Sequence, residues 1–142
     1  MNTVEANVRV VLEAFGAVER RDAEGLAAVC QPDVEFHWPP SLTYGGSRRR
    51  GDRDRGQSPS FEDVWDPFQP TAEERSMDAR VVAASEREVV VLWRQRGLSP
   101  DCARLDSPVL GLYEVREGRL ARAQMFYFDP GAVDAFLDRA GT

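Results

Sequence analysis

Lysine is absent from this chain: all 18 basic residues are arginine. Without a side-chain amine, Schiff-base chemistry on a carbonyl substrate is excluded. Histidine is scarce as well, with His37 the single one. One histidine and scattered carboxylates give no metal-ligand spacing, so no metal and no cofactor are expected. The two cysteines, Cys30 on an apolar helix position and Cys102 in the turn-like LSPDCARLD, form neither a disulfide framework nor a zinc site. No Gly-rich phosphate loop follows a strand, and Gly45-Gly46 alone is weak. No apolar run approaches the length of a membrane span. The opening MNTVEANVRVV lacks the charged-then-apolar layout of a signal peptide. The expectation is a cytoplasmic protein with no membrane partner. A net charge of −6 argues against a nucleic-acid partner.

What is present reads as one domain over residues 1–142. Val4, Val8, Val11, Leu12, Phe15 and Val18 recur at the 3.6-residue period, predicting an amphipathic helix over 3–20, with Asn2 and Glu5 as a capping box. Asp22 can cap a shorter helix carrying Leu26, Ala27, Val29 and Cys30, stopped by Pro32. Val34 to Trp38 alternates, with Phe36 and Trp38 on one face and Glu35 and His37 on the other, as in a half-buried strand. Residues 41–60 read as a long loop. Its segment RRRGDRDRG, residues 48–56, is a solvated charge run; the functional alternative is a lid, or an anion clamp made by Arg48, Arg49 and Arg50. Ser60 can cap a short helix bearing Phe61, Val64, Trp65 and Phe68.

From Met77 the pattern turns to strands. MDARVVAAS and VVVLW flank a polar turn at Glu86-Arg87-Glu88, and Gly97 to Ser107 reads as a turn-rich connection. The long hairpin VLGLYEVREGRLARAQMFYFD, Val109 to Asp129, turns at Glu117-Gly118. A last helix over 130–139 starts at Asp129-Pro130, with Val133, Phe136 and Leu137 inward. Helices in a run followed by strands in a run predict an α+β fold, with helices on one face of a mainly antiparallel sheet.

The segments VLEAFGAVERRDAEGLAAVCQPDVEFHWPP and VLGLYEVREGRLARAQMFYFD, with the strands between them, resemble the nuclear transport factor 2-like superfamily. Within it they resemble the SnoaL-like polyketide cyclase and ketosteroid isomerase branch. The D-x-x-G-L turn and the Y-x-V-x-x-G-R-L hairpin mark the fold rather than a reaction. The resemblance implies a cone-shaped curved sheet wrapped round the N-terminal helices, a pocket at its open end, and commonly a homodimer. It also implies, without choosing among them, isomerases, cyclases, dehydratases, epoxide hydrolases and non-catalytic proteins. Against the steroid isomerases, the matching positions are Trp38, Ala14-Phe15 and Leu110-Gly111, which lack the two catalytic aspartates and the oxyanion tyrosine. Against epoxide hydrolases, Phe126 stands where the catalytic aspartate of the last strand belongs. Against SnoaL-like cyclases, Asp129 is the nearest match to the acid/base of that strand.

On this frame, alternation along the strands gathers Phe36, Trp38, Tyr113, Met125, Tyr127 and Asp129 at the mouth, with Tyr44 on its rim and Trp93 on its wall. Such a wall suits a hydrophobic polyketide-, terpenoid- or aromatic-like small molecule. Asp129 among aromatics is the expected general acid/base, and Tyr113 and Tyr127 the groups that polarise a developing enolate. The competing reading of Asp129 is a plain helix cap before Pro130, and of the aromatic stripe, plain core. His37 faces away from the pocket. Cofactor-free cyclisation or isomerisation by proton transfer is the leading expectation. A non-catalytic binding or scaffolding domain is the alternative, and epoxide opening comes third.

Overall fold

The computed structural model describes residues 2–49 and 64–141. Two helices, α1 (Thr3–Glu19) and α2 (Ala23–Ala28), lead into strands β1 (Cys30–Trp38) and β2 (Gly46–Arg49). A 3-10 turn (Asp66–Phe68) and the one-turn helix α3 (Ala72–Arg75) follow. The chain then forms β3 (Arg80–Ala84), β4 (Glu88–Leu98), β5 (Arg104–Arg116), β6 (Arg119–Tyr127) and α4 (Pro130–Gly141). The six strands form one sheet in the order β2-β1-β6-β5-β4-β3. Every pairing is antiparallel except β1 with β6, which is parallel. This is the α+β arrangement the pattern predicts, with α1 packed on the sheet.

The helix starts use the expected caps. Asn2 Oδ1 accepts from the Glu5 backbone N–H at 2.8 Å, and Asp22 Oδ1 accepts from the Gly25 N–H at 2.9 Å. Each satisfies a donor that the first helical turn leaves without a partner. At the hairpin between β5 and β6, Glu117 and Gly118 both have positive φ, 54° and 78°. Positive φ at both central residues is the two-residue turn whose twist matches its strands. The buried face of β5 and β6 follows alternation: Val109, Gly111, Tyr113 and Val115 on one strand, Ala123, Met125 and Tyr127 on the other.

Three expectations need correcting. The first strand begins at Cys30 rather than Val34, so Cys30 is a buried strand residue and not a helical one. Pro32 fits because the β1–β6 register shifts between Cys30 and Glu35, where no regular ladder needs its N–H. The segment expected to be loop from 41 contains β2, which forms a short edge hairpin with β1 and pairs His37 with Ser47. The connection expected over 97–107 is largely strand, because β4 runs to Leu98 and β5 starts at Arg104. The start of the helix expected from Ser60, and Arg50 with the rest of the charge run, lie outside the described residues.

Aromatic contacts run through the core, from Trp65 by way of Tyr44 and Tyr127 to Trp93. Trp65 stacks on Phe136 of α4 at 6.2 Å, with Phe68 edge-on to Phe136 at 5.5 Å. Phe15 of α1 meets Trp93 at 6.0 Å and Tyr113 at 5.4 Å, both edge to face. On the opposite face of the sheet Leu110 and Phe126 are paired neighbours, 40% and 50% exposed, and Phe128 just beyond β6 is 82% exposed.

Candidate functional site

A cavity of about 300 Å³ lies between α1–α2 and the inner face of the sheet. The helices contribute Val11, Ala14, Phe15, Val18 and Leu26. The sheet contributes Phe36 and Trp38 of β1, Trp93 of β4, Tyr113 of β5, and Leu120, Ala123 and Met125 of β6. Met77 closes one side. The volume is at the small end for ligand sites, enough for one compact molecule. Space survives here because two of the helix-side and sheet-side positions are alanine, Ala14 and Ala123, and because Gly111 carries no side chain. A Cβ built on Gly111 falls 2.2 Å from the Tyr113 hydroxyl oxygen, so the Tyr113 ring lies flat over that glycine.

The cavity has an inner and an outer end. Trp93 and Tyr113 are 3% and 6% exposed and form the inner wall. Phe36 and Trp38, stacked at 5.8 Å and 16°, are only half-buried and stand at the mouth. Two buried polar groups, the Tyr113 hydroxyl and the Trp93 indole N–H, belong to this inner wall. The Trp93 indole N–H has no partner in hydrogen-bonding geometry, though it approaches the Tyr113 oxygen closely enough to favour ionisation of that group slightly. Burial outweighs that and pushes the Tyr113 pKa far up, so Tyr113 stays a neutral O–H donor at any physiological pH.

The other expected residues are elsewhere. Tyr44 and Tyr127 do not line the cavity; both are buried beside it. Tyr44 Oη donates to Tyr127 Oη at 2.6 Å, and Tyr127 Oη donates to Gln95 Oε1 at 3.3 Å. Desolvation raises both tyrosine pKa values. Asp129 is not in the mouth either. It is exposed, and its Oδ1 accepts from the Ala132 backbone N–H at 3.0 Å, capping α4. The strand ends at Tyr127, so alternation no longer steers the side chain two residues later. Among the described residues no carboxylate or histidine lines the cavity.

His37 faces the other side of the sheet, as alternation predicts. Its Nδ1 lies 2.6 Å from Ser47 Oγ and its Nε2 3.1 Å from Glu35 Oε1. Arg49 Nη2 donates to Glu35 Oε2 at 3.2 Å. The His37 hydrogen bond first, then Arg49, hold the Glu35 carboxyl below its ordinary range. Arg48 is paired with Phe36 in the β1–β2 ladder, and both Arg48 and Arg49 border the cavity. The helix-side lining was visible in the sequence only as amphipathic periodicity, which does not separate a cavity wall from filled core. Trp93, Phe36, Trp38, Tyr113 and Met125 do meet at the site.

Residues 11–123 match the SnoaL-like domain family. The chain belongs to that family. No curated protein matches it by sequence. Among solved structures, this SnoaL-like domain is similar to an NTF2-like protein of unknown function from Burkholderia pseudomallei K96243. The TM-score is 0.68 at 19% identity, over 99% of this chain and 98% of that one. It is similar to a protein named as a candidate SnoaL-like polyketide cyclase from Jannaschia sp. CCS1, with a TM-score of 0.66 at 16% identity, over 94% and 92% of the two chains. It is also similar to TerC, co-crystallised with polyporic acid, with a TM-score of 0.64 at 17% identity, over 94% and 98%. At such identities the likeness shows the fold alone.

Proposed function

We propose that this SnoaL-like domain takes a flat, largely apolar small molecule into the cavity and hydrogen-bonds its carbonyl oxygen from Tyr113 and Trp93. The observation that carries the reading is the Trp93 indole N–H, buried without a hydrogen-bond partner, beside the buried Tyr113 hydroxyl at the inner end of an otherwise apolar space. A buried donor without an acceptor is costly, on the order of 1–3 kcal/mol, and a ligand oxygen removes that cost. The probe is 9-fluorenone, a flat ketone of suitable size. Saturable quenching of tryptophan emission is expected, because Trp38 and Trp93 line the site. Ala14→Phe, which fills the space, is expected to abolish binding while the fold is kept. No saturable binding, or unchanged binding in Ala14→Phe, overturns the reading.

Cyclisation or isomerisation of such a ligand is the second reading. The Tyr113 hydroxyl favours it: beside an indole N–H, a neutral buried donor can stabilise the enolate oxygen that develops as the ligand's α-proton leaves to water or hydroxide at the mouth, no side chain of the described lining being a carboxylate or histidine base. Asp129, capping α4, is no part of this version, and epoxide opening gains no support from the described lining. Product analysis by mass spectrometry on polyketide-like β-diketones tests it: turnover lost in Tyr113→Phe supports it, and no turnover by the wild type removes it.

We propose also that a second copy of the chain covers the outer patch of Leu110, Phe126 and Phe128. Adjacent large apolar side chains this exposed mark contact surfaces, and the resemblance implies a dimer. Sedimentation should give a dimer that Phe126→Asp converts to monomer. A monomeric wild type removes the proposal.

A further inference from the structure

We infer that the chain carries a second reactive site, separate from the cavity, in which Ser47 is a nucleophile, His37 its base and Glu35 the group that orients the base, and that this site takes small acyl groups from activated esters. The three side chains meet on the outer face of the β1–β2 edge hairpin. Cross-strand pairing sets Ser47 opposite His37, and Glu35 lies two residues back on the same face of β1. Ser47 Oγ stands 2.6 Å from His37 Nδ1, and His37 Nε2 stands 3.1 Å from Glu35 Oε1. The imidazole is held at both nitrogens.

These contacts fix the protons. The His37 and Arg49 contacts keep Glu35 ionised, and an ionised carboxylate only accepts hydrogen bonds. The proton of the neutral imidazole therefore sits on Nε2 and is donated to Glu35. Nδ1 keeps its lone pair toward Ser47, and the Ser47 hydroxyl donates to it. A hydroxyl bonded in this way to an oriented base is activated for attack. On β6 the ladder partners of Glu35 and His37 are Arg122 and Gln124, neither of them an acid that competes for the Nε2 proton. Ser47 is exposed while the His37 side chain is 19% exposed, so the reacting oxygen meets solvent and its base is sheltered. A nucleophile this open recognises the reactivity of a carbonyl more than its shape, which suits a short acyl group on a good leaving group.

In the reaction, Ser47 Oγ attacks the ester carbonyl carbon as its proton passes to His37 Nδ1. The bond to the leaving oxygen breaks, and that oxygen takes the electron pair and the Nδ1 proton. Water then attacks the acyl carbon, giving its proton to Nδ1, and the Ser47 oxygen recovers that proton as its bond to the acyl group breaks. One ester and one water become one acid and one alcohol.

The probe is p-nitrophenyl acetate, with peptide mass spectrometry locating the acetyl group and absorbance following p-nitrophenol. The chain has no lysine to compete as an amine, and Cys102→Ser removes the exposed thiol. In that background the acetyl group is expected on Ser47, with p-nitrophenol released beyond one equivalent. Ser47→Ala and His37→Ala should each lower the rate at least about tenfold, and added imidazole should restore part of the rate in His37→Ala. Glu35→Gln, at the positioning residue, should lower kcat and leave KM unchanged. Circular dichroism verifies that each variant is folded; acetyl mapping in the wild type and the rate of Ser47→Ala decide the matter if His37→Ala is not. No acetyl group on Ser47 overturns the inference, and so does a full rate in folded Ser47→Ala. An unchanged rate in folded His37→Ala, or a Glu35→Gln effect confined to KM, overturns the assigned roles.

Discussion

Tyr113 and Tyr127 sit on the same face of one hairpin, and their surroundings differ in the respect that matters for chemistry. The Tyr127 hydroxyl is enclosed by its own chain, accepting from Tyr44 and donating to Gln95. The Tyr113 hydroxyl lies over Gly111 at the wall of an open space, beside the Trp93 indole. Both are buried, and both stay protonated. The difference is whether the protein supplies the acceptor. Where it does, a buried tyrosine is a strut; where it does not, the hydroxyl is available to something else.

The contrast breaks most severely at the turn that holds Tyr44. A Cβ on Gly45 would lie 2.0 Å from the Pro39 carbonyl oxygen and 2.9 Å from that of Leu42. Backbone cannot yield as a side chain can, so Gly45→Ala should cost about 3 kcal/mol in urea unfolding. Next comes the pair itself. Tyr127→Phe leaves Tyr44 and Gln95 short of a partner and should cost about 1–3 kcal/mol. Tyr113→Phe should leave stability within about 0.5 kcal/mol and weaken 9-fluorenone binding about fivefold. Equal stability losses in the two variants would erase the distinction. A smaller effect concerns Asp129: Asp129→Ala should lower stability by about 1 kcal/mol through the lost cap, Asp129→Asn hardly at all, and neither should change ligand affinity.

The smallest effect is on the outer face. Because His37 and Arg49 hold the folded Glu35 carboxyl below its ordinary value of 4.5, that interaction stabilises the fold above pH 4.5. It is lost as the pH falls below 4.5 and through the lowered folded value. Thermal melts should show a shallow loss of stability over that acidic window, reduced in Glu35→Gln. A window unchanged in Glu35→Gln would assign it to other carboxylates, Asp78 beside Arg96 among them.

The fold was legible because its signals are local and redundant: the period of α1, the alternation of β5 and β6, and the caps at Asn2, Asp22 and Asp129. The wall of the cavity was legible in part for the same reason, since Trp38 fixes the face on which Phe36 lies. Two things were not. The short edge strand β2 carries too few residues to show a period, so Arg48 read as part of a charge run. Whether an aromatic hydroxyl is enclosed or left over depends on partners far along the chain. Gln95 and Tyr44 decide it for Tyr127, and nothing near residue 127 announces them. Alternation misplaced Asp129 because the strand ends at Tyr127, two residues before it.

The parallel pairing of β1 with β6 joins the earliest strand to the latest, about ninety residues apart. Until β6 has emerged and zipped onto β1, the mouth formed by Phe36 and Trp38 has no counterpart on Ala123 and Met125. Such distant partnerships are slow to close. A nascent chain would therefore display loose aromatic hairpins until β6 has been made, and acquire something worth binding to only then.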